Sequence, residues 1–367
     1  MKIKNILSVI IFGVFLLSMC AICTLKSDAQ YSESERRALE QAPEISLSSI
    51  TSGDFMKNFE LYTSDQFPLR DSFRTIKSIF ARFALGKLEN NGLFIAEGHL
   101  SKIDEDQNEA MLNHAANKFE YIYKNYLKDK NTNVYFTIVP DKNRFLALKN
   151  GYPSLDYKGF ENRMKEKTPY MKYIDIAPLL SIDDYYTTDT HWKQENITDI
   201  AEKIASDMGA DVKSEYNINT LENPFYGVYH SQAALPFIKS DTIKYLTNAT
   251  IDGCTVTYYD TGMPKKGDMY NMKKAIDKDP YEMFLSGAKP LITIENPNAK
   301  EEKHLVMFRD SFGSSLAPLM AEGYSRITVI DIRYIQSGLL GNFVDFSDTD
   351  VLFIYSTALL NNSLALN

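Results

Sequence analysis

The sequence is poor in cysteine, in tryptophan and in clustered positive charge. It has three cysteines, and two of them, Cys20 and Cys23, fall inside an apolar N-terminal segment. Cys254 is then the single thiol of the remaining chain, which excludes a disulfide framework. An exported chain without disulfides fits the surface of a Gram-positive bacterium better than a eukaryotic secretory route. The net charge is −8 and no long Lys/Arg run occurs, which argues against a nucleic-acid partner. No H-E-x-x-H is present and no C-x-x-C lies outside the apolar segment, so no metal site and no cofactor are expected. Internal repeats and low-complexity tracts are also missing.

What remains is an ordinary globular composition. The chain has 367 residues, 44% hydrophobic and 24% charged, enough for one large domain with a smaller attachment. Tyr (23) and Phe (21) are abundant beside one Trp. Tyrosines suit a sugar-contacting surface, although an AT-biased genome produces the same excess.

Residues 6–25 read ILSVIIFGVFLLSMCAICTL, uncharged and flanked by Lys2, Lys4 and Lys26. At 1.5 Å per residue such a helix crosses a hydrocarbon core of about 30 Å. The positive start favours the N-terminus inside and the rest of the chain outside. Residues 1–27 therefore read as an uncleaved anchor, with a cleaved signal peptide as the alternative and a secreted protein as its consequence. A lipoprotein reading through Cys20 is disfavoured by the bulky Met19 before it.

Residues 28–100 read as a connector and the N-terminal part of the domain. The stretch from Ser72 to Leu88 carries apolar residues at helical spacing. From 101 to 367 the pattern is helix alternating with buried strand. Helices are expected over Gln107–Leu127, Trp192–Gly209 and Leu316–Glu322. Strands are expected at Val134–Val139, Tyr173–Ile176, His304–Phe308, Arg326–Ile330 and Val351–Tyr355. That alternation predicts an α/β fold with a parallel sheet. The region 215–300 breaks the rhythm and reads as an inserted β-rich region or lid.

Two constellations could carry chemistry. In Thr187-Thr-Asp189-Thr-His191-Trp192, an Asp two residues before a His can orient the imidazole and stabilise its protonated form. The competing reading makes Asp189 or Thr190 a helix N-cap. In Arg309-Asp310-Ser311-Phe312-Gly313, a buried strand runs into a Ser at a small-residue turn, the place where open α/β sheets present their chemistry. Ser311 would stand near a helix N-terminus, which favours developing negative charge. Here too the plain alternative is an N-cap, by Asp310 or Ser311. Together the constellations supply nucleophile, base and orienting acid for acyl transfer.

The motifs resemble the DHHW protein family of the SGNH-hydrolase-like superfamily, with kinship to bacterial alginate O-acetylation proteins. The resemblance rests on Tyr31–Glu35, Asp65-Gln-Phe-Pro-Leu-Arg70-Asp71, Asn90-Asn-Gly92, Thr188-Asp-Thr-His-Trp192, Phe308-Arg-Asp-Ser-Phe312 and Asp331-Ile-Arg-Tyr334. Two departures stand out. Position 190 is Thr where the family name expects His, and Arg309 stands where a Gly precedes Asp-Ser in ordinary SGNH enzymes. The resemblance implies a three-layer SGNH/flavodoxin-like parallel sheet. It implies Ser311 as nucleophile, His191 as base and Asp189 as its orienter, with Gly313 in the oxyanion turn. It also implies transfer or removal of an acetyl group on an extracellular polysaccharide. The first reading is an extracytoplasmic O-acetyltransferase acting on a cell-surface or exopolysaccharide, served by a membrane-bound acyl-donor protein because acetyl-CoA is cytoplasmic. A carbohydrate esterase with the same triad is the alternative, and a non-catalytic, anchored polysaccharide-binding or assembly protein is the third reading.

Strand ends supply further candidates. Asp141, Lys142, Asn143 and Arg144 follow the Val134–Val139 strand, and Asn143 is the candidate oxyanion donor. Arg309 is a candidate substrate contact, and Asp331, Arg333 and Tyr334, which follow the Arg326–Ile330 strand, could hold the sugar or brace the site. His230 lies in a Tyr-rich stretch that could line a sugar groove. His99, His114 and His304 have no partner at useful spacing.

Overall fold

The computed structural model describes residues 2–32, 34–35, 37–260 and 263–367. Met1 of the expected anchor, Glu33 of the Tyr31–Glu35 segment, and Thr261 and Gly262 of the 215–300 region lie outside the described residues. The chain divides into two compact units, Met1–Asn91 with His230–Ile238, and Gly92–Tyr229 with Lys239–Asn367.

The first unit is helical. Helix α1 (Lys2–Leu25) holds the apolar segment, and Ile3–Leu25 is long and apolar enough to cross a membrane, with none of it buried. Helices α2 (Asp54–Asp65) and α3 (Arg70–Phe83) follow, joined by a corner at Leu69, whose φ is +54°. An ion-pair cluster ties the unit to its connector. Arg37 Nη2 meets Asp65 Oδ1 at 2.5 Å, while Arg70 and Arg74 reach Glu35 at 2.8 and 2.9 Å. The Asp65 carboxyl is held down at about 2, chiefly by its hydrogen bond from Arg37.

The second unit contains helices α4 (Glu109–Ile122), α5 (Tyr157–Lys167), α6 (Thr198–Asp207) and α7 (Phe312–Leu316). Its strands are β1 (Asn133–Val139), β2 (Lys172–Tyr173), β3 (Thr255–Tyr258), β4 (Lys265–Gly267), β5 (Leu291–Glu295), β6 (His304–Arg309), β7 (Arg326–Ile330) and β8 (Thr349–Ser356). Among the described residues these form one eight-stranded sheet, ordered β4-β3-β5-β7-β6-β8-β1-β2. The strands from β7 to β2 are parallel. The sequences of β7, β6, β8 and β1 are near-continuous apolar runs because both faces are covered. Val134, Phe136 and Ile138 face α4 and α5, whereas Tyr135 and Val139 join the core beneath α6. Phe119 of α4 is fully buried at that interface against Phe136, Phe353 and Tyr355. Truncating such a ring to Ala costs about 3–5 kcal/mol.

The sheet is mixed rather than parallel throughout. Strands β5, β3 and β4 add to its edge in antiparallel pairing, and all three come from the region read as an insert. Polar-flanked short strands such as Thr255–Tyr258 do not announce their direction; the neighbouring strand decides it, here β5. Two expected elements are also shorter and a third differs in type. Of the strand expected at 173–176 only Tyr173 falls in a strand, Lys172–Tyr173, which pairs with β1. The helix expected from Trp192 begins at Thr198, after a tighter turn at Gln194–Asn196. It ends near Gly209, whose φ of +71° suits a helix stop. The stretch after Leu316 is a 3-10 segment, Ala317–Gly323, that continues α7.

Strand order positions the site. The chain leaves β6 for β7 on one side of it, then returns to β8 on the other side. The first connection packs its residues, such as Leu316, into the α6-side core. The second packs Leu340 and Phe346 into the α4-side core. The two connections diverge at the carboxyl end of β6, the place where open α/β sheets bind their ligands. Ser311 follows β6 by two residues.

Candidate active site

Ser311 sits at the entry to α7 with φ −62° and ψ −24°, and its side chain caps no helix. The turn is set by Asp310 instead. One carboxylate oxygen of Asp310 accepts from the Phe312 N–H (3.1 Å) and the other from the Ser356 N–H at the end of β8 (2.7 Å). The Gly313 N–H bonds to the Asp310 carbonyl. With both following amides engaged, the Ser311 hydroxyl is left to other partners.

The Asp189 loop reaches it through His191. The loop is closed at its base by the Tyr186 N–H donating to the His191 carbonyl (3.1 Å). Spacing of two residues lets one Asp189 oxygen accept both the His191 backbone N–H (3.0 Å) and the ring Nδ1–H (2.5 Å). That assigns the neutral ring's lone pair to Nε2, which accepts from the Ser311 hydroxyl at 2.7 Å. Asp189 is buried, and burial alone would raise its carboxyl. The charge of His191, the ring hydrogen bond and the N–H groups of Val228 and His191 outweigh burial and hold it well below the carboxylate range. Asp189 therefore stays ionised beside His191. Neither Asp189 nor Thr190 caps a helix, because the nearest one starts downstream at Thr198.

Residues far away in sequence lock this geometry. The Asp241 carboxylate accepts from the Thr187 N–H (2.7 Å), the Thr188 N–H (2.7 Å) and the Thr188 hydroxyl (2.6 Å). The Val228 N–H donates to Asp189 Oδ2 (2.8 Å) and the Gly227 N–H to the Thr188 hydroxyl (2.9 Å). A Cβ on Gly227 would stand 2.2 Å from Asp189 Cβ, so only glycine lets that backbone approach. The His191 ring stacks on Tyr281 (centroids 3.9 Å, 11° between planes). Trp192 Nε1 donates to Ser315 Oγ (2.8 Å), which also pairs with the Tyr281 hydroxyl (2.9 Å), while the Gln194 amide donates to the Ser315 carbonyl (2.8 Å). These bonds clamp the His loop onto α7. None of Gly227, Asp241, Tyr281 and Ser315 was singled out from the sequence; only Trp192, adjacent to His191, offered a signal.

The other predicted residues are used differently. Asn143 is fully buried, and its amide donates to the carbonyls of Lys102 (3.1 Å) and Pro153 (3.2 Å), so it is engaged in bracing rather than open to an oxyanion. Arg309 is buried and turned inward. It lies 3.5 Å from Asp331 and donates to the Gly287 carbonyl (3.1 Å), and burial lowers its pKa. A Cβ on Gly313 would come within 2.5 Å of Arg309 Cβ, so that glycine makes room for Arg309. Arg333 also pairs with Asp331 (2.8 and 2.6 Å). Tyr334 is half exposed in a depression of about 310 Å³ lined with Tyr259, Leu339 and Phe343. That depression contains no triad residue.

Lys142 is buried, and its ammonium donates to the carbonyls of Tyr186 (2.9 Å) and Thr187 (3.1 Å), just ahead of Asp189. Burial brings it down to about 7. Asp141 accepts from the Tyr157 hydroxyl (2.7 Å) and is pushed up to about 6 by burial. Arg144 pairs with Glu161 (2.6 Å). His99 is held down to about 4, mainly by burial. His114 meets Ser363 (3.3 Å), His304 opens β6 at the opposite end of the sheet, and His230 belongs to the first unit. Among the described residues no group of three or more His, Cys, Asp or Glu side chains is arranged to hold a metal ion.

No protein-family model matches the chain. No curated protein matches it either. Solved structures do. The chain is similar to a DHHW family protein from Eubacterium siraeum, with 20% identity, 76% of this chain and 94% of that one covered, and a TM-score of 0.60. It is also similar to PatB1 of Bacillus cereus, a structure with a sulfonyl adduct, at 20% identity, 73% and 95% coverage and a TM-score of 0.57. At such identities the common property is the fold, an α/β arrangement of the expected class whose eight-stranded sheet is mixed where a parallel one was expected.

Proposed function

We propose that the chain is an extracytoplasmic, membrane-anchored acyl transferase of the SGNH-like type, transferring an acetyl group to a cell-surface or exopolysaccharide hydroxyl through Ser311. The observation that carries this reading is the hydrogen-bonded series Asp189–His191–Ser311, at 2.5 and 2.7 Å. Its fold is that of the DHHW and PatB1 structures.

In the first half-reaction Ser311 Oγ attacks the donor's acyl carbonyl while its proton passes to His191 Nε2. The imidazolium is stabilised by ionised Asp189. Collapse expels the donor's leaving group, which takes that proton, and leaves acyl-Ser311. An acceptor hydroxyl then gives its proton to His191 as it attacks, and Ser311 recovers the proton when the ester departs. The Ser311 N–H is the donor best placed for the oxyanion, since those of Phe312 and Gly313 already serve Asp310. Helix α1 serves as the anchor, and a membrane-bound acyl-donor protein is the proposed partner. With water as acceptor the same steps make the chain a carbohydrate esterase.

The test is turnover of a chromogenic acetyl ester by the full chain in detergent, beside Ser311→Ala and His191→Ala. Chromophore release, or an acetyl adduct in the intact mass, that disappears in both variants supports the reading. Added oligosaccharide separates transfer from hydrolysis. Equal background in all three proteins, together with failure of a sulfonyl fluoride to label Ser311, overturns it in favour of a non-catalytic polysaccharide-binding protein.

A further inference from the structure

Helix α3 is amphipathic with its sides reversed. Leu69, Phe73, Ile76, Phe80 and Phe83 recur at spacings of 4, 3, 4 and 3 and make one stripe along the helix and its entry. In a globular domain such a stripe turns inward. Here Leu69, Ile76, Phe80 and Phe83 are 65%, 61%, 57% and 68% exposed. The inward side is polar or small. Ser78 and Ala81 are buried, Ser78 accepts from the Asn90 amide (2.7 Å), and Arg74 donates to the Ser231 carbonyl (3.1 Å) while pairing with Glu35. The apolar surface is continuous at both ends, through Phe67 against Phe73 (5.6 Å) and Phe83 against Phe237 (5.4 Å). A contiguous exposed patch of this kind marks an interaction surface.

We propose that this face of α3 docks into the bilayer that α1 crosses, lying at the outer headgroup–acyl boundary. Its neighbours identify the occupant. Phe59, Tyr62 and Phe67, from α2 and the corner after it, line a groove whose other wall is Phe15, Met19 and Cys23 of α1. The Tyr62 hydroxyl donates to Asp28 (3.1 Å), just beyond the end of α1. With the N-terminus inside, that wall is the outer half of the anchor. Helix α2 thus runs beside the outer-leaflet segment, and α3 continues from it after one corner. Lys77, Arg82 and Lys87 lie along and beyond the stripe and suit lipid phosphates. The proposal rests on α1 being a membrane anchor, and it is independent of catalysis.

The test uses the full chain in phosphatidylcholine–phosphatidylglycerol vesicles whose acyl chains are brominated close to the headgroups. The sequence has one tryptophan, Trp192, fully buried, which makes wild type the reference. In Phe80→Trp the added emission is expected to be blue-shifted and quenched by about half or more, as for an indole some 5–10 Å into the interface. Adding Ile76→Asp should abolish that quenching. Resistance to alkaline carbonate extraction reports the anchor separately. A water-like, unquenched emission from a carbonate-resistant chain overturns the docking face while leaving the anchor intact. A blue-shifted but unquenched emission overturns it in favour of a second copy or a protein partner covering the face. Quenching in a chain that carbonate strips off supports the face and refutes the anchor; loss of both refutes both.

Discussion

Gly227→Ala probes whether the loop at 225–229 positions Asp189. The new Cβ would stand 2.2 Å from Asp189 Cβ and 2.5 Å from Asp189 Cα. Carbon atoms pack at about 3.5–4.0 Å, so one backbone must yield by about 1 Å. Neither side is free to do so. Asp189 holds the His191 backbone and ring, and the Val228 N–H holds Asp189. A shift of about 1 Å at a catalytic group costs about 10²-fold in rate, while overpacking costs about 1–3 kcal/mol in stability. The expected result is a fall of about 10²-fold in kcat/KM for an acetyl ester, and a comparable slowing of Ser311 labelling by a sulfonyl fluoride, with melting lowered by only a few degrees. Gly253→Ala is the control, since its Cβ would meet nothing closer than Asn298 at 3.4 Å. Turnover within about two-fold of wild type in Gly227→Ala would refute the argument that this loop holds the triad in register.

Three further outcomes follow from the same geometry. Asp189→Asn keeps the shape but cannot fix the imidazole tautomer, and kcat should fall about 10³–10⁴-fold with the circular dichroism spectrum unchanged. Lys142→Met strands the Tyr186 carbonyl and leaves that of Thr187 with the Leu100 N–H, and should lower stability by about 1–3 kcal/mol and slow turnover, read by denaturant unfolding and ester kinetics. Lys142 is depressed to about 7 in the fold, so the native state binds fewer protons than the unfolded chain above that pH. Wild-type stability should therefore gain from this group as pH rises from about 7 towards the ordinary lysine range, a gain the variant lacks. Asp141→Asn works in the opposite direction. Its carboxyl is raised to about 6, so the native state binds more protons between the ordinary value of 3.8 and 6, and wild type loses stability across that window. The variant should become progressively more stable than wild type as pH climbs to 7, by at most about 3 kcal/mol, measured by melting at pH 4, 5, 6 and 7.

Much of the core was legible in the chain. Val134–Val139, His304–Phe308, Arg326–Ile330 and Val351–Tyr355 are apolar runs, and each forms a strand of the sheet. The pairing of Asp189-x-His191 with a Ser after a buried strand was legible because both are local arrangements. Their convergence to 2.5 and 2.7 Å is a property of the folded chain. Strand direction at the β5–β3–β4 edge was not legible, since alternation carries no sign.

Orientation was the harder problem. Asn143, Arg309 and Arg333 stand at strand ends, where sequence assigns a residue to the crevice rim but not the direction of its side chain. Packing turned all three inward, onto carbonyls and Asp331. Gly227, Asp241 and Tyr281 brace the Asp189 loop from positions about 40 to 90 residues further on, a distance at which no local spacing rule operates. Helix α3 shows the same division in one element. Its periodicity, visible in the sequence, determined that an apolar stripe exists. Only the tertiary structure decided that the polar side turns inward, because Arg74 and Ser78 found hydrogen-bond partners there while the stripe meets only Phe67 and Phe237 at its ends.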